Sequence, residues 1–208
     1  MKSSQKMANI SPHPLLLLTF AALFILNSPA TIFAEKEVSA GGLKPASKSQ
    51  NERYRAVNEL CNQRTSREAI DFCTKALKSD RRSAYAKDNV SLLLISVDLA
   101  RGEINRTRDY YASILFKLQN KKSSKFVLAL KDCVSAYDWG NEELSLIPTE
   151  LRKGPAFAGY DAKIAHDALQ RCTDTLNQHK ISNHSVLARH RNSTDYVQLC
   201  VDITLAIK

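Results

Sequence analysis

The sequence predicts an all-α protein in which an up-down-up-down four-helix bundle follows a short N-terminal helical hairpin. Three observations support this fold class. Apolar residues recur every three or four positions in four long segments, short polar stretches separate these segments, and no stretch alternates apolar and polar residues as a half-buried strand does. Because short connections place consecutive helices side by side in opposite directions, the segments predict one antiparallel bundle.

The first 34 residues have the pattern of a secretory signal peptide. Lys2 and Lys6 precede the apolar run 15–26, which is too short to span a bilayer as a stable helix. We expect cleavage after Ala34, with Ala30 as the alternative position. The mature protein is therefore expected to be exported through the secretory pathway.

The rest of the N-terminal region predicts no packed structure. Residues 35–51 are polar, contain glycines, a proline and serines, and have no apolar period, so they predict a flexible leader. The folded domain is predicted over residues 52–208. No later segment approaches about 18 uninterrupted apolar residues, so we expect the mature form to be soluble and to have no membrane contact.

The chain is basic. Its formal net charge of +9 falls to +7 when residues 1–34 are removed, because they hold two lysines and no acid. Basic and acidic residues are interleaved, and no stacking-aromatic pattern accompanies the basic ones, which argues against nucleic acid as a partner. The charge fits either a solubilising surface or attraction to an acidic polymer or protein at the cell surface.

Five cysteines in an exported chain predict disulfides, and the odd number leaves at least one cysteine unpaired within the chain. Cys61 ends a short helix predicted from residue 52, and Cys73 lies in a second helix that Ser66 caps. These two cysteines lie on either side of a turn, so their pairing is the simplest one. Cys200 lies on the apolar stripe of the last helix and is interpreted as a buried structural thiol.

The helical hairpin is predicted over residues 52–78 and the bundle over residues 84–207. Within the bundle, the first helix is predicted to run from residue 84 to about 118 and the second from about 125 to 151. A third helix follows residue 160, and the fourth is predicted over residues 185–207. Pro148 is expected to end or bend the second helix early.

Residues 151–160 (LRKGPAFAGY) interrupt the helical pattern between the second and third bundle helices and predict a protruding loop. If Cys133 and Cys172, which lie in the flanking helices, are bonded, the two helices are clamped and the loop becomes a fixed protrusion. The candidate target-binding residues are those around its single phenylalanine: Arg152, Lys153, Gly154, Pro155, Ala156 and Phe157.

The sequence predicts no catalytic or metal site. It contains no His-Glu-x-x-His, no Cys-x-x-Cys, no glycine-rich phosphate loop and no nucleophile elbow. His179, His184 and His190 lack the tight spacing of metal ligands. We therefore expect a protein that is not an enzyme and that needs no cofactor or metal.

Four Asn-x-Ser/Thr triplets mark candidate glycosylation sites, which are meaningful because export is expected. Two fall in the predicted first bundle helix, and Asn183, in a connection, is the favoured one. The four asparagines are Asn89, Asn105, Asn183 and Asn192.

Several short sequence features occur together between about residues 55 and 207. Cys61 and Cys73 bracket Thr65, a turn with Leu77, Ser79, Asp80 and Ser83 follows, and the segments VSLLLISVDLA and ALKDCVSAY precede Cys172. In this combination the chain resembles a plant family of small secreted helical proteins that inhibit invertases and pectin methylesterases. The resemblance implies pairing of Cys61 with Cys73 and of Cys133 with Cys172, with Cys200 free.

The region before the fourth cysteine favours the invertase branch of that family. Pectin methylesterase inhibitors usually carry a Trp-Leu-Ser-Ala-Ala-like helix start there, which this sequence lacks. Invertase inhibitors usually carry a Pro-Lys-Phe loop that inserts into the active-site cleft of the enzyme, and Pro155, Ala156 and Phe157 stand in that place. The sequence departs from the motif at Ala156, where a basic residue is expected.

The resemblance implies a secreted inhibitor of acid invertase, a glycoside hydrolase, located in the cell wall (apoplast) or in the vacuole. It is expected to act as a monomer in a 1:1 complex and to block the substrate cleft with the loop around Pro155 to Phe157. Pectin methylesterase is the alternative target, reached through the helix faces of the bundle. A wall protein that binds acidic polysaccharide without inhibiting either enzyme is a further alternative.

Overall fold

The computed structural model describes residues 50–120 and 124–207, and the predicted signal peptide lies outside them. Those described residues contain helices and turns and no strand. The helices are α1 (Gln50–Arg53), α2 (Arg55–Cys61), α3 (Arg67–Lys78), α4 (Asn89–Lys117), α5 (Lys125–Glu150), α6 (Pro155–Gln178) and α7 (His184–Leu205), with a 3-10 helix at Arg81–Tyr85. The predicted all-α class is confirmed.

The helical hairpin consists of α2 and α3. Ser66 caps α3 as predicted, because its side chain accepts a hydrogen bond of 3.1 Å from the backbone N–H of Ala69. The prediction of one helix from residue 52 to Cys61 is wrong in detail, because Tyr54 separates α1 from α2. Gln50 is helical although we predicted it in the flexible leader; residues 35–49 lie outside the described residues. The disulfide between Cys61 and Cys73 joins the two helices.

The first bundle helix begins later than predicted. The polar stretch before it forms the 3-10 helix, after which Ala86 is extended and Asp88 caps α4. The Asp88 carboxylate accepts a hydrogen bond of 2.8 Å from the backbone N–H of Ser91, which fixes the start of α4 at Asn89. The helix predicted from residue 84 therefore starts five residues further on because side-chain caps, rather than the apolar period, set its boundary.

The four long helices pack as a square. Helix α5 packs between α4 and α6, and α7 closes the bundle by packing against both α6 and α4. Their inward faces form the apolar core, which includes fully buried residues from every long helix: Leu93, Ile104, Leu130, Leu144, Leu169, Leu176, Val197 and Ile203. The predicted up-down-up-down bundle is confirmed. None of the helices in the described part of the chain is long and apolar enough to cross a membrane.

Helices α5 and α6 approach each other closely at Gly140. A Cβ atom at this position would lie 2.8 Å from the Leu169 side chain and 3.3 Å from the backbone oxygen of Ala165. The contact depends on a residue without a side chain, because the Ala165 backbone cannot move away as a flexible side chain can.

We expect Gly140→Val to lower the free energy of unfolding by about 2 kcal/mol, because the added atoms overpack the α5–α6 contact. Urea denaturation followed by circular dichroism measures this change. Gly102→Val is the matched control, since a Cβ at Gly102 meets only the far end of the Arg106 side chain at 3.6 Å. Equal stability of the two variants would contradict the close packing.

Pro148 does not end α5. The helix continues for two residues beyond it to Glu150, close to the predicted end at residue 151. Of the two effects expected of Pro148, the early end does not occur, and the bend stays a prediction.

Polar groups line part of the bundle interior and centre on His190. The Tyr137 hydroxyl lies 2.9 Å from His190 Nδ1, and the Thr173 hydroxyl lies 2.7 Å from Nε2. Both ring nitrogens of this buried imidazole are therefore hydrogen-bonded, and both partners are uncharged. Burial lowers the pKa of His190 to about 4, because the charged form of the imidazole loses hydration in the bundle interior.

Candidate target-binding turn at one end of the bundle

The candidate site is the turn between α5 and α6. The N-terminus of α4 and the C-terminus of α7 lie at the same end of the bundle, where the Asn89 side chain donates a hydrogen bond of 2.7 Å to the Ala206 carbonyl. The turn therefore lies at the end of the bundle where α4 begins and α7 ends, with a helix on each side of it.

The prediction of a protruding loop over residues 151–160 is wrong in extent. Only residues 151–154 lie between the two helices, and Pro155 begins α6. Proline is well suited to the first helical position, where its fixed φ matches the helix and its missing N–H is not needed. Gly154 and Pro155, which suggested a loop, instead serve a tight turn and a helix start.

The turn is held by backbone hydrogen bonds. The N–H groups of Lys153 and Gly154 both donate to the Glu150 carbonyl, at 2.9 and 3.2 Å. Gly154 has a φ of 149°, a conformation that side-chain-bearing residues rarely adopt. Gly159 is different, because a Cβ there would lie 3.3 Å from the Thr204 hydroxyl, so it serves the contact between α6 and α7.

Aromatic side chains project from the start of α6. Phe157 is 55% exposed and Tyr160 is 66% exposed, while Ala158 between them is fully buried. Pro155 and Ala156 are exposed as well. The Phe157 ring passes close to Gly154, since a Cβ on Gly154 would lie 3.8 Å from the ring. The first turn of α6 therefore presents an apolar surface on a rigid helical backbone.

The charges of the turn are partly neutralised within the protein. Lys153 Nζ lies 2.7 Å from the Glu150 carboxylate. Arg152 reaches the Thr149 hydroxyl at 3.4 Å and forms no ion pair with the residues that the structure describes. Gly154 provides no side-chain cap for α6, and no acidic residue lies in the first turn of that helix. The positive end of the helix dipole and the Arg152 guanidinium are therefore available to an anionic partner.

A disulfide joins the two helices of this site. The Cys133 and Cys172 sulfur atoms are 2.06 Å apart, and both residues are buried. Cys172 lies 17 residues after Pro155, or about 26 Å along the helix axis. The tight turn therefore joins α5 and α6 at one end, and the disulfide joins them towards the other end. The predicted pairing of Cys133 with Cys172 is confirmed.

Comparison with known families agrees with this architecture. The family model described as plant invertase/pectin methylesterase inhibitor matches residues 55–207. The chain belongs to the plant invertase/pectin methylesterase inhibitor family. No curated protein matches the chain in a sequence comparison. The described helices and the two disulfides are consistent with the helical bundle of this family, whose members inhibit one of the two enzymes and are typically extracellular.

In this inhibitor-family chain, Cys200 is the fifth cysteine and remains unpaired. It is fully buried and accepts a hydrogen bond of 3.4 Å from the Ser96 hydroxyl. Burial raises the pKa of the Cys200 thiol to about 12, so the reactive thiolate is suppressed. The described residues hold no group of three or more His, Cys, Asp or Glu that could bind a metal ion.

The four candidate glycosylation sites occupy different environments. Asn183 is exposed, and its side-chain oxygen caps α7 by accepting a hydrogen bond from the Val186 N–H. Asn192 is exposed on α7, whereas Asn89 is engaged with Ala206. Asn105 is half-buried in α4, and the Thr107 of its triplet is fully buried. Glycosylation stays a prediction, and Asn183 remains the favoured position.

Two features of this inhibitor-family fold were missed from the sequence. Asp161 is only 7% exposed, and its buried Oδ2 atom has no hydrogen-bond partner within residues 50–120 and 124–207. His190 lies in the core rather than on a surface. For His190, the spacing to Val186, Val197 and Cys200 already places it on the inward stripe of the last helix. No comparable signal marks Asp161, because an aspartate near a helix start is ordinary in sequence.

Proposed function

We propose that this protein is a secreted inhibitor of an acid invertase, a β-fructofuranosidase, and that it blocks the substrate cleft with the bundle end around residues 151–157. Membership of the family supports inhibition of an invertase or a pectin methylesterase. The observation that carries the choice of surface is Phe157, an exposed aromatic side chain at a rigid helix start.

The chemistry of the target suits this surface. Invertases are glycoside hydrolases, whose clefts hold a pair of carboxyl groups beside the scissile bond. A cleft shaped for sugar rings offers a pocket to the Phe157 ring. The uncapped start of α6 and the Arg152 side chain bring positive potential toward its carboxylates.

The start of α6 and Arg152 also compensate for the missing charge at Ala156, where the family usually has a basic residue. Lys153 is committed to Glu150, so the helix start and Arg152 supply the attraction instead.

Rigidity favours tight binding. The backbone of residues 155–157 is helical before binding, so little conformational entropy is lost when the complex forms. The turn and the disulfide fix the position of α6 against α5. The binding surface therefore has its bound conformation before the enzyme is met. The protein binds its enzyme 1:1 as a monomer and performs no catalysis itself.

The test is an inhibition assay on two enzymes. The oxidised protein is incubated with an acid invertase and with a pectin methylesterase, and sucrose hydrolysis and methyl ester hydrolysis are measured at mildly acidic pH. We expect inhibition of the invertase that is competitive with sucrose. Inhibition of the pectin methylesterase alone would reject the proposed target.

Phe157→Ala is expected to weaken inhibition by more than about 1 kcal/mol, or about fivefold in the inhibition constant, because the anchor of the interface is lost. Steady-state kinetics on the same invertase measures this change. Phe116→Ala is the matched control, since Phe116 is 73% exposed near the C-terminal end of α4, away from the turn. Equal inhibition by both variants and the unmodified protein would show that the turn is not the anchor.

A second candidate, inhibition of a pectin methylesterase through a helix face, is favoured by one observation. Helix α5 exposes large apolar side chains outside the turn, and the Arg171 guanidinium stacks on one of them, Trp139, at 5.3 Å from the ring centre. The exposed residues are Leu128, Trp139 and Leu146. Under this function Trp139→Ala, and not Phe157→Ala, would weaken inhibition.

A further inference from the structure

Two long stretches of the sequence contain no acidic residue. Residues 110–131 and 175–194 together hold eight lysines and arginines and no aspartate or glutamate, although the chain has 21 acidic residues. The formal charge of +7 on residues 35–208 is therefore concentrated in these stretches, and the rest of that range is close to neutral. A surface that serves solubility alone needs no such segregation, because charges of both signs spread over it suffice.

The fold brings the two stretches to one end of the bundle. The first contains the connection from α4 to α5, and the second contains the connection from α6 to α7. The Tyr111 hydroxyl of α4 donates a hydrogen bond of 2.9 Å to the Val186 carbonyl of α7. The Arg189 guanidinium of α7 stacks on the Tyr110 ring, 4.3 Å from its centre. The start of α5 and the α6–α7 connection also line one surface depression, formed by Phe126, Lys180, Ile181, Ser182 and Asn183.

This end of the bundle, which we call the basic end, lies opposite the target-binding turn because α5 runs from one to the other. It carries five exposed cationic side chains: Lys117, Lys125, Lys131, Lys180 and Arg189. None of the five forms an ion pair within residues 50–120 and 124–207. Arg191 lies further along α7 and interacts with Asp195, so it is not part of this group. The positive charge of the basic end is therefore open to an external anion.

Lys180 occupies a backbone position that favours glycine. Its φ is 52°, and it is the one non-glycine residue with a positive φ in the described part of the chain. It follows the end of α6, where the Ile181 N–H donates a hydrogen bond of 2.9 Å to the Leu176 carbonyl. Glycine or asparagine is usual at such a helix end. A strained lysine with an exposed side chain indicates that the side chain has a use that offsets the strain.

We propose that the basic end binds a polyuronate, an acidic polysaccharide in which each sugar unit carries a carboxylate. Several unpaired cations around one end of the bundle match a chain of regularly repeated carboxylates. Members of this family are typically extracellular, where acidic polysaccharides rather than nucleic acids are the common polyanions. A protein held by its basic end leaves the turn at the other end accessible. The inference does not depend on which enzyme the turn binds.

Polygalacturonate is the probe, and the same polymer with its carboxylates methyl-esterified is the comparison. Binding of the full chain to each immobilised polymer is measured by surface plasmon resonance at pH 7. We expect affinity for polygalacturonate to fall about tenfold as salt rises from about 50 to about 150 mM, as neutralisation of about three carboxylates requires. The esterified polymer should not bind. Equal affinity for the two polymers, or tighter binding to single-stranded DNA of equal charge, overturns the inference.

Substitutions at the basic end test its role. The triple variant Lys117→Gln, Lys125→Gln and Lys180→Gly should bind polygalacturonate about tenfold more weakly than the unmodified protein. Lys180→Gly alone should weaken binding about twofold while the free energy of unfolding stays the same or rises, because glycine adopts the positive φ without strain. Its weaker binding is then not a result of unfolding. Unchanged binding by the triple variant overturns the inference.

A second triple variant is the matched control for net charge. Lys75→Gln, Lys87→Gln and Lys163→Gln remove the same charge from exposed positions outside the basic end. This variant should bind polygalacturonate within about twofold of the unmodified protein, since long-range attraction between exposed charges is screened by salt. Equal losses of affinity in the two triple variants would show that net charge alone drives binding, and would overturn the assignment to the basic end.

Discussion

Replacing Cys133 and Cys172 together by alanine is expected to lower the free energy of unfolding by about 4 kcal/mol. The disulfide closes a loop with a sequence separation of 39 residues, and a cross-link of that length removes much conformational freedom from the unfolded chain. Both sulfur atoms are also buried, so alanine leaves unfilled space between α5 and α6. Denaturant unfolding monitored by circular dichroism measures the loss.

Two controls make this result specific. The Cys61–Cys73 disulfide has a sequence separation of only 12, so its double alanine variant should lose less stability. Cys200→Ala tests removal of a buried thiol that forms no cross-link. If the Cys133/Cys172 variant were no less stable than Cys200→Ala, the disulfide would not be fastening the helix pair.

Acidification is expected to lower the free energy of unfolding by about 3 kcal/mol through protonation of His190 alone. Its pKa falls from the ordinary 6.5 to about 4 in the folded state, so the neutral form is favoured there. A group with a lowered pKa of this kind contributes stability that is present above pH 6.5 and is lost as the pH falls through 4. Tyr137 and Thr173 offer hydroxyl partners and no negative charge, so protonation creates an uncompensated buried cation.

His190→Gln removes this titration, and the difference in unfolding free energy between the unmodified protein and the variant should shrink between pH 7 and pH 4. Measuring the difference separates His190 from Asp161, whose raised pKa acts in the opposite direction and is present in both proteins. His166→Gln is the control, because His166 lies on the outer part of α6. A difference that does not vary with pH would contradict the role of the buried imidazole.

The bundle could be predicted from the sequence because helical periodicity records burial directly. Leu130, Cys133, Tyr137 and Leu144 mark the inward stripe of α5, and all four are buried. The helix start at Asn89 was not predicted, since a local cap sets it, whereas the end of α5 at Glu150 lies one residue from the predicted end at residue 151.

The candidate site was harder to predict because proline and glycine each occur in more than one kind of local structure. Pro155 breaks a helix when it lies inside one and begins a helix when it lies at the first position, and the sequence alone did not decide between these. Phe157 is exposed, as the predicted binding segment requires, but it projects from a helix start rather than from a loop. The partnerless carboxyl of Asp161 depends on how α5 and α6 pack, which no local pattern reveals.

The most direct measurement is a hydrogen-exchange footprint of the complex with acid invertase, recorded with and without an excess of a competing sugar that occupies the active site. We expect amides at the α5–α6 turn and the first turn of α6 to be protected in the complex, and the sugar to abolish that protection. Protection confined to the outer faces of the bundle helices, with residues 151–158 exchanging as they do in the free protein, would contradict the account.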